Sequence, residues 1–117
     1  MAQGAIVFRW GPAVRGRELK ALGVFGESVG YWDDMVKNNR VSGHYPYFST
    51  NRSAGFWVIQ GEMEDLMTIQ AEEDYQRLTT RVQMIVEDYS AELHVGGSVE
   101  EVADIMGMYS EVIEELS

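Results

Sequence analysis

Arg9, Glu92 and His94 are the residues whose types best suit proton transfer on a bound anion. The segment Ser90-Ala91-Glu92-Leu93-His94-Val95 alternates apolar and polar residues. As a strand it turns Ala91, Leu93 and Val95 to one face and Glu92 and His94 to the other. In Ala5–Trp10 the same parity sets Ile6, Phe8 and Trp10 against Val7 and Arg9. If the two strands are neighbours, Arg9, Glu92 and His94 share a face. A carboxylate beside a histidine orients it and raises its basicity, and an arginine can hold an anionic substrate. The plainer arrangement of the same residues is an Arg9–Glu92 cross-strand ion pair beside a hydrogen-bonded His94.

The stretch SGHYPYFST, residues 42–50, offers a second constellation. Alternation puts His44, Pro46 and Phe48 on one face and Tyr45 and Tyr47 on the other. His44 is the alternative proton acceptor, and the tyrosine pair could donate hydrogen bonds to a carbonyl or phenolate. Tyrosine is also enriched where subunits meet, so the same residues suit a subunit interface. Trp57, in a third apolar run, and Trp32, on a helical stripe, are further candidates for an aromatic wall around a flat ligand. His44 and His94 are the only histidines and fall on opposite edges of the expected sheet, so no metal site is expected. There is no glycine-rich phosphate loop and no Ser-His-Asp order, and no cofactor is invoked. Arg15, Arg17 and Lys20 cluster where a helix begins; pairing with acidic residues of the second half is expected there.

The elements that must position these groups follow from periodicity. Ala5–Trp10 is β-branched and aromatic and is closed by Gly11-Pro12, a first strand. From Gly16 to Asn39, Leu19, Leu22, Phe25, Val29, Trp32 and Val36 recur at intervals of three and four, one stripe of a helix. Gly23, Gly26 and Gly30 interrupt it, and close approach of helix to sheet is the expected reason. Val41–Thr50 is a second strand, joined through a short polar turn to a third, Gly55–Gln60. That third run is apolar enough to suggest burial on both faces. Helix then covers Glu62–Asp88 with a break near residues 71–73, followed by a fourth strand from Tyr89 to Val95. Ser98 with Glu101 forms a capping box for a last amphipathic helix through Val99, Val102, Ile105, Met106, Tyr109 and Ile113. The order β-α-β-β-α-β-α is the ferredoxin-like arrangement, an antiparallel sheet of strand order 4-1-3-2 with a C-terminal helix. Pro46 agrees with an edge position for the second strand.

With 117 residues, 45% of them hydrophobic and 24% charged, the chain reads as a single domain, 1–117, of an ordinary globular class. It has no cysteine and hence no disulfide or thiolate chemistry. No apolar run is long enough to cross a bilayer and no secretory signal is visible, so a cytoplasmic protein without membrane contact is expected. The net charge is −10. Residues 1–60 hold seven Lys/Arg against four Asp/Glu, and residues 61–117 two against fifteen. That balance argues against nucleic acid as a partner.

In element order, broken second helix and trailing helix, the whole chain resembles the dimeric α+β barrel superfamily. That superfamily includes cofactor-free monooxygenases, haem-degrading enzymes and muconolactone isomerases. Tyr31, Trp32 and Asn38-Asn39 are loosely similar to the Asn/Trp/His trio of the haem-degrading members, but the spacing differs and no role is carried over. The resemblance implies a homodimer whose sheets close face to face, with a pocket for a small aromatic or anionic ligand. Two functions follow as expectations. One is a cofactor-independent oxygenase or isomerase acting on an aromatic or polyketide-like substrate. The other is a non-catalytic homodimeric interaction module.

Overall fold

The computed structural model describes residues 2–117. Its elements follow the expected order: β1 (Gln3–Trp10), α1 (Glu18–Lys37), β2 (Gly43–Phe48), β3 (Gly55–Glu62), α2 (Met63–Gln70), α3 (Glu73–Gln83), β4 (Ser90–Val95) and α4 (Val99–Glu115). The four strands form one antiparallel sheet, β2-β3-β1-β4, with β1 and β3 central. Pro46 therefore lies on an edge strand, where its missing N–H costs no ladder bond. The helical region after β3 breaks between Gln70 and Glu73.

Alternation decides the two faces of the sheet. Ile6, Phe8, Trp57 and Ile59 point toward the helices and are buried, against Trp32, Met35, Leu66, Ile69 and Tyr75. The other face carries no helix. There Tyr45, Tyr47 and Phe56 are exposed, and the Tyr47 and Phe56 rings stack 4.7 Å apart. β3 is thus buried on one face only, because a single chain supplies just one layer of helices. At Gly55 a side chain would collide with the Tyr47 carbonyl and with the Trp10 ring, 2.6 Å from an added Cβ. The glycine lets Trp10 lie across the end of β3.

α1 departs from the expected stripe. Phe25, Val29, Trp32 and Val36 pack on the core, whereas Leu19 and Leu22 are 84% and 70% exposed. The first turns of α1 border the open cavity described below, lined by Glu18, Ala21 and Leu22, so no packed side chains cover them. Gly23, Gly26 and Gly30 also depart from expectation. A side chain at any of them would meet nothing within 4 Å, so close packing on the sheet is not their reason.

Arg40, just after α1, reaches Glu72 ahead of α3 through two parallel hydrogen bonds, Nη1 to Oε1 at 2.9 Å and Nη2 to Oε2 at 2.6 Å. These bonds hold the Glu72 carboxyl below its ordinary pKa. A lowered native pKa stabilises the fold above the unfolded-state value, and the gain disappears as pH falls through the native one. Both side chains are 36% exposed, so screening limits the pair to about 1 kcal/mol. Glu72→Gln should therefore lower stability by up to about 1 kcal/mol at neutral pH. Urea unfolding below the carboxylate range should show variant and parent converging.

Candidate active site

Between the sheet and the helices the protein holds a cavity of about 670 Å³, within the usual size of small-molecule sites. Phe8 and Trp10 of β1, Trp57 of β3 and Phe48 of β2 form its floor, because the parity that buries Ile6 and Ile59 also turns these rings toward the helices. α1 contributes Leu22, Phe25, Ser28 and Trp32, and α3 contributes Leu78, Thr79 and Val82. The loop after β1 is tied to the segment before β4. Gly11 N–H donates to Glu87 O at 2.7 Å, Glu87 N–H to Pro12 O at 2.9 Å and Val14 N–H to Ile85 O at 2.8 Å. Those bonds hold Ile85, Val86 and Tyr89 against the remaining side. Glu18, Arg52 and Ser53 lie among the polar lining residues.

The walls are mainly aromatic. The Phe25 ring lies 5.1 Å from Trp57 and 5.3 Å from Phe48, and Trp10 meets Phe48 edge-on at 5.7 Å. Such a surface suits the face of a flat ring system. Its hydroxyls are mostly committed: Ser28 donates to Val24 O at 2.8 Å and Thr79 to Tyr75 O at 3.0 Å. Tyr89 differs. It packs against Phe8, and its hydroxyl is buried without a hydrogen-bond partner. Burial raises its pKa, so the phenol stays protonated and can donate. A second buried hydroxyl without a partner, on Tyr31, is not among the lining residues. Burial, with Glu72 nearby, pushes that phenol up to about 12.

Of the residues singled out from the sequence, Trp57 and Trp32 line the cavity. His44 lies one hydrogen bond behind it. Trp57 Nε1–H donates to His44 Nδ1 at 3.0 Å, so the imidazole proton sits on Nε2, which faces Asp33 Oδ1 at 2.7 Å. Both ring nitrogens are then engaged, and the pair Asp33–His44 fixes the plane of the Trp57 indole. Arg9, Glu92, His94, Tyr45 and Tyr47 share the open face of the sheet, as parity requires. They are not brought to the cavity. The expected Arg9–Glu92 ion pair does not form. Glu92 sits opposite Val7 and Arg9 opposite Ser90, while on the other side Arg9 faces Phe56 and lies over its ring at 5.9 Å.

Arg15, Arg17 and Lys20 also depart from expectation. Arg17 donates to Met84 O at 2.8 Å, and among the described residues none of the three pairs with an acidic group. The described residues contain no cluster of three or more His, Asp or Glu suited to a metal ion. No described helix is long and apolar enough to cross a membrane.

Asp33 and Tyr89 were not singled out from the sequence. Tyr89 was within reach, since the parity that turns Ala91 and Leu93 toward the helices includes it. Asp33 had no such signal, because its partner is set by how α1 lies over β2.

No protein-family model matches the chain, and no curated protein does. Solved structures do share its fold. A conserved protein of unknown function from Bacteroides thetaiotaomicron VPI-5482, described as a possible oxidoreductase, matches 81% of this chain and 97% of its own, with 13% identity and a TM-score of 0.61. SnoaB, a cofactor-independent oxygenase from Streptomyces nogalater, matches 84% of this chain and 94% of its own, with 12% identity and a TM-score of 0.58. A mutant form of SnoaB gives 83%, 93%, 10% and 0.62 respectively. At such identities the likeness is one of fold alone, a ferredoxin-like α+β fold with a four-stranded antiparallel sheet.

Proposed function

We propose that the chain binds a flat, largely apolar small molecule between its sheet and helices, and acts on it as a cofactor-independent oxygenase or isomerase. The aromatic cavity carries this reading. Its volume and ring-lined floor suit an aromatic or polyketide-like substrate, and the fold shared with SnoaB supports the reaction class. Trp57 and Trp32 supply ring faces, Tyr89 donates a hydrogen bond to a substrate oxygen, and Arg52 attracts an anionic substituent. Asp33 and His44 act as positioning residues that hold Trp57. In either reaction the substrate loses a proton from an acidic C–H or O–H to the carboxylate of Glu18 in the lining or to bulk water, and a donor at its oxygen stabilises the anion left behind.

The active protein in this proposal is a homodimer, with the open face of the sheet turned to the partner. Arg9, Glu92, His94, Tyr45 and Tyr47 would then line the interior between the two sheets. That exposed face, with its stacked Tyr47 and Phe56, also favours a second reading, a non-catalytic homodimeric interaction module.

The chain's three tryptophans, Trp10, Trp32 and Trp57, all line the cavity, so their fluorescence reports on its contents. Juglone, a hydroxynaphthoquinone, should quench it saturably. Tyr89→Phe should weaken that binding roughly five- to tenfold, the loss expected for one hydrogen bond to a ligand oxygen, with an unchanged circular dichroism spectrum. Absence of saturable quenching by juglone and by larger hydroxyquinones would leave only the interaction module.

A further inference from the structure

The last helix has no partner within its own chain. α4 buries none of its residues, although Val102, Ile105, Tyr109, Val112 and Leu116 recur at intervals of three and four. Tyr109 is 55% exposed and Leu116 83% exposed. An apolar stripe of this length is left to water only where another surface is meant to cover it. The same segment holds Glu100, Glu101, Asp104, Glu111, Glu114 and Glu115 and no basic residue.

A surface of the opposite character lies at the cavity mouth. Leu19 and Leu22 are exposed there without a covering layer, and Leu22 itself lines the cavity. Arg15 and Lys20 lie close to them in sequence and Arg52 in the cavity lining, and none of the three forms an ion pair among the described residues; the carboxylate of Glu18 is also in that lining.

From these two surfaces we infer that α4 of a second copy of this chain seats on Leu19 and Leu22 and closes the mouth of the cavity. An acidic amphipathic helix meets an apolar patch where three basic groups outnumber the one carboxylate, Glu18, and the charges favour the pairing. α4 against the partner's α4 would instead set two wholly acidic helices side by side.

The chain's own mouth lies at the wrong end. α4 leaves β4 beside the Gly4–Val95 pair, whereas the mouth lies beside Trp10, Phe48 and Gly55, at the opposite end of the strands. An eight-residue strand separates these ends by roughly 25 Å, and the molecule is drawn out to 54 Å against 33 and 25 Å. Gly96 and Gly97, at φ +135° and +121°, form the joint from which α4 departs. Each cavity is then walled on one side by the partner. Its role in substrate access rests on the function proposed above, whereas the contact itself does not.

The absence of cysteine allows a direct test. Leu22→Cys and Tyr109→Cys are prepared separately, mixed in equal amounts so that subunits exchange, and oxidised mildly without ligand. The expected product is a mixed disulfide at about twice 13.2 kDa, in several-fold excess over either self-linked species. Adding Lys20→Glu and Arg52→Glu to the Leu22→Cys chain should reduce its yield several-fold. Predominant Tyr109→Cys self-linkage would show α4 paired with α4 and overturn the inference. Intrachain linkage in a double Leu22→Cys/Tyr109→Cys variant, or no linkage at all, would overturn it too. Since no ligand is present, failure of juglone binding leaves this result standing, and the converse also holds.

Discussion

Trp57→Ala is expected to cost about 3–5 kcal/mol of stability, the usual range for deleting a buried tryptophan, and to abolish juglone binding. Three consequences act together. The residue is 5% exposed and touches the rings of Phe25, Trp10 and His44, so its removal opens the cavity floor. His44 Nδ1 loses its donor, and Asp33 then holds an imidazole that no longer orients anything. The ligand loses the ring it would stack on. Trp57→Phe separates these effects, since it keeps a ring but removes the indole N–H. It should cost about 1–3 kcal/mol, chiefly through the unsatisfied acceptor, and leave measurable binding. Asp33→Asn should weaken binding less than Trp57→Ala, consistent with a positioning role. Denaturant titration together with fluorescence or absorbance binding gives both quantities. A loss under about 1 kcal/mol for Trp57→Ala, with juglone still bound, would contradict the assignment of Trp57 as a wall of the site.

If the homodimer proposed above forms, Val58→Asp should convert it to a monomer. Val58 sits at the centre of the open sheet face, opposite Val7 on β1 and Tyr45 on β2. In an isolated chain an aspartate there stays in water and costs little. Between two sheets it becomes a buried, unpaired charge, doubled by symmetry, at a cost of several kcal/mol. The dissociation constant should therefore rise by a hundredfold or more. Sedimentation should give a mass near twice 13.2 kDa for the parent and 13.2 kDa for the variant. Two equal masses, whether both monomeric or both dimeric, would show that the sheets do not meet through this face.

Much of this arrangement was legible in the chain. Period-two alternation in residues 90–95 assigned Glu92 and His94 to one face and Leu93 to the other, and β-pairing kept that assignment. Pro46 marked an edge, and Ser98 capped α4 as expected, accepting a hydrogen bond from Glu101 N at 3.2 Å. These are local rules, set by the backbone and by neighbours in sequence. Leu19 and Leu22 obeyed the helical period and are nevertheless exposed, because periodicity gives the direction of a side chain but not what lies beneath it. Likewise the Arg9, Glu92 and His94 grouping was read correctly as a shared face. Whether that face or its reverse would hold a cavity depended on where the helices lie.

The amino-acid sequence by itself determined the element order, the strand parity and the antiparallel α+β class. Each follows from hydrophobic period, turn residues and the handedness of short connections. Only the tertiary structure decided where a ligand could sit, that His44 serves Trp57, and that the phenol of Tyr89 lacks a partner. Those depend on contacts between residues far apart in the chain, such as His44 with Asp33 and Phe8 with Tyr89. Such contacts arise from how whole elements pack, and no local pattern encodes the packing angle that brings them within a few ångströms.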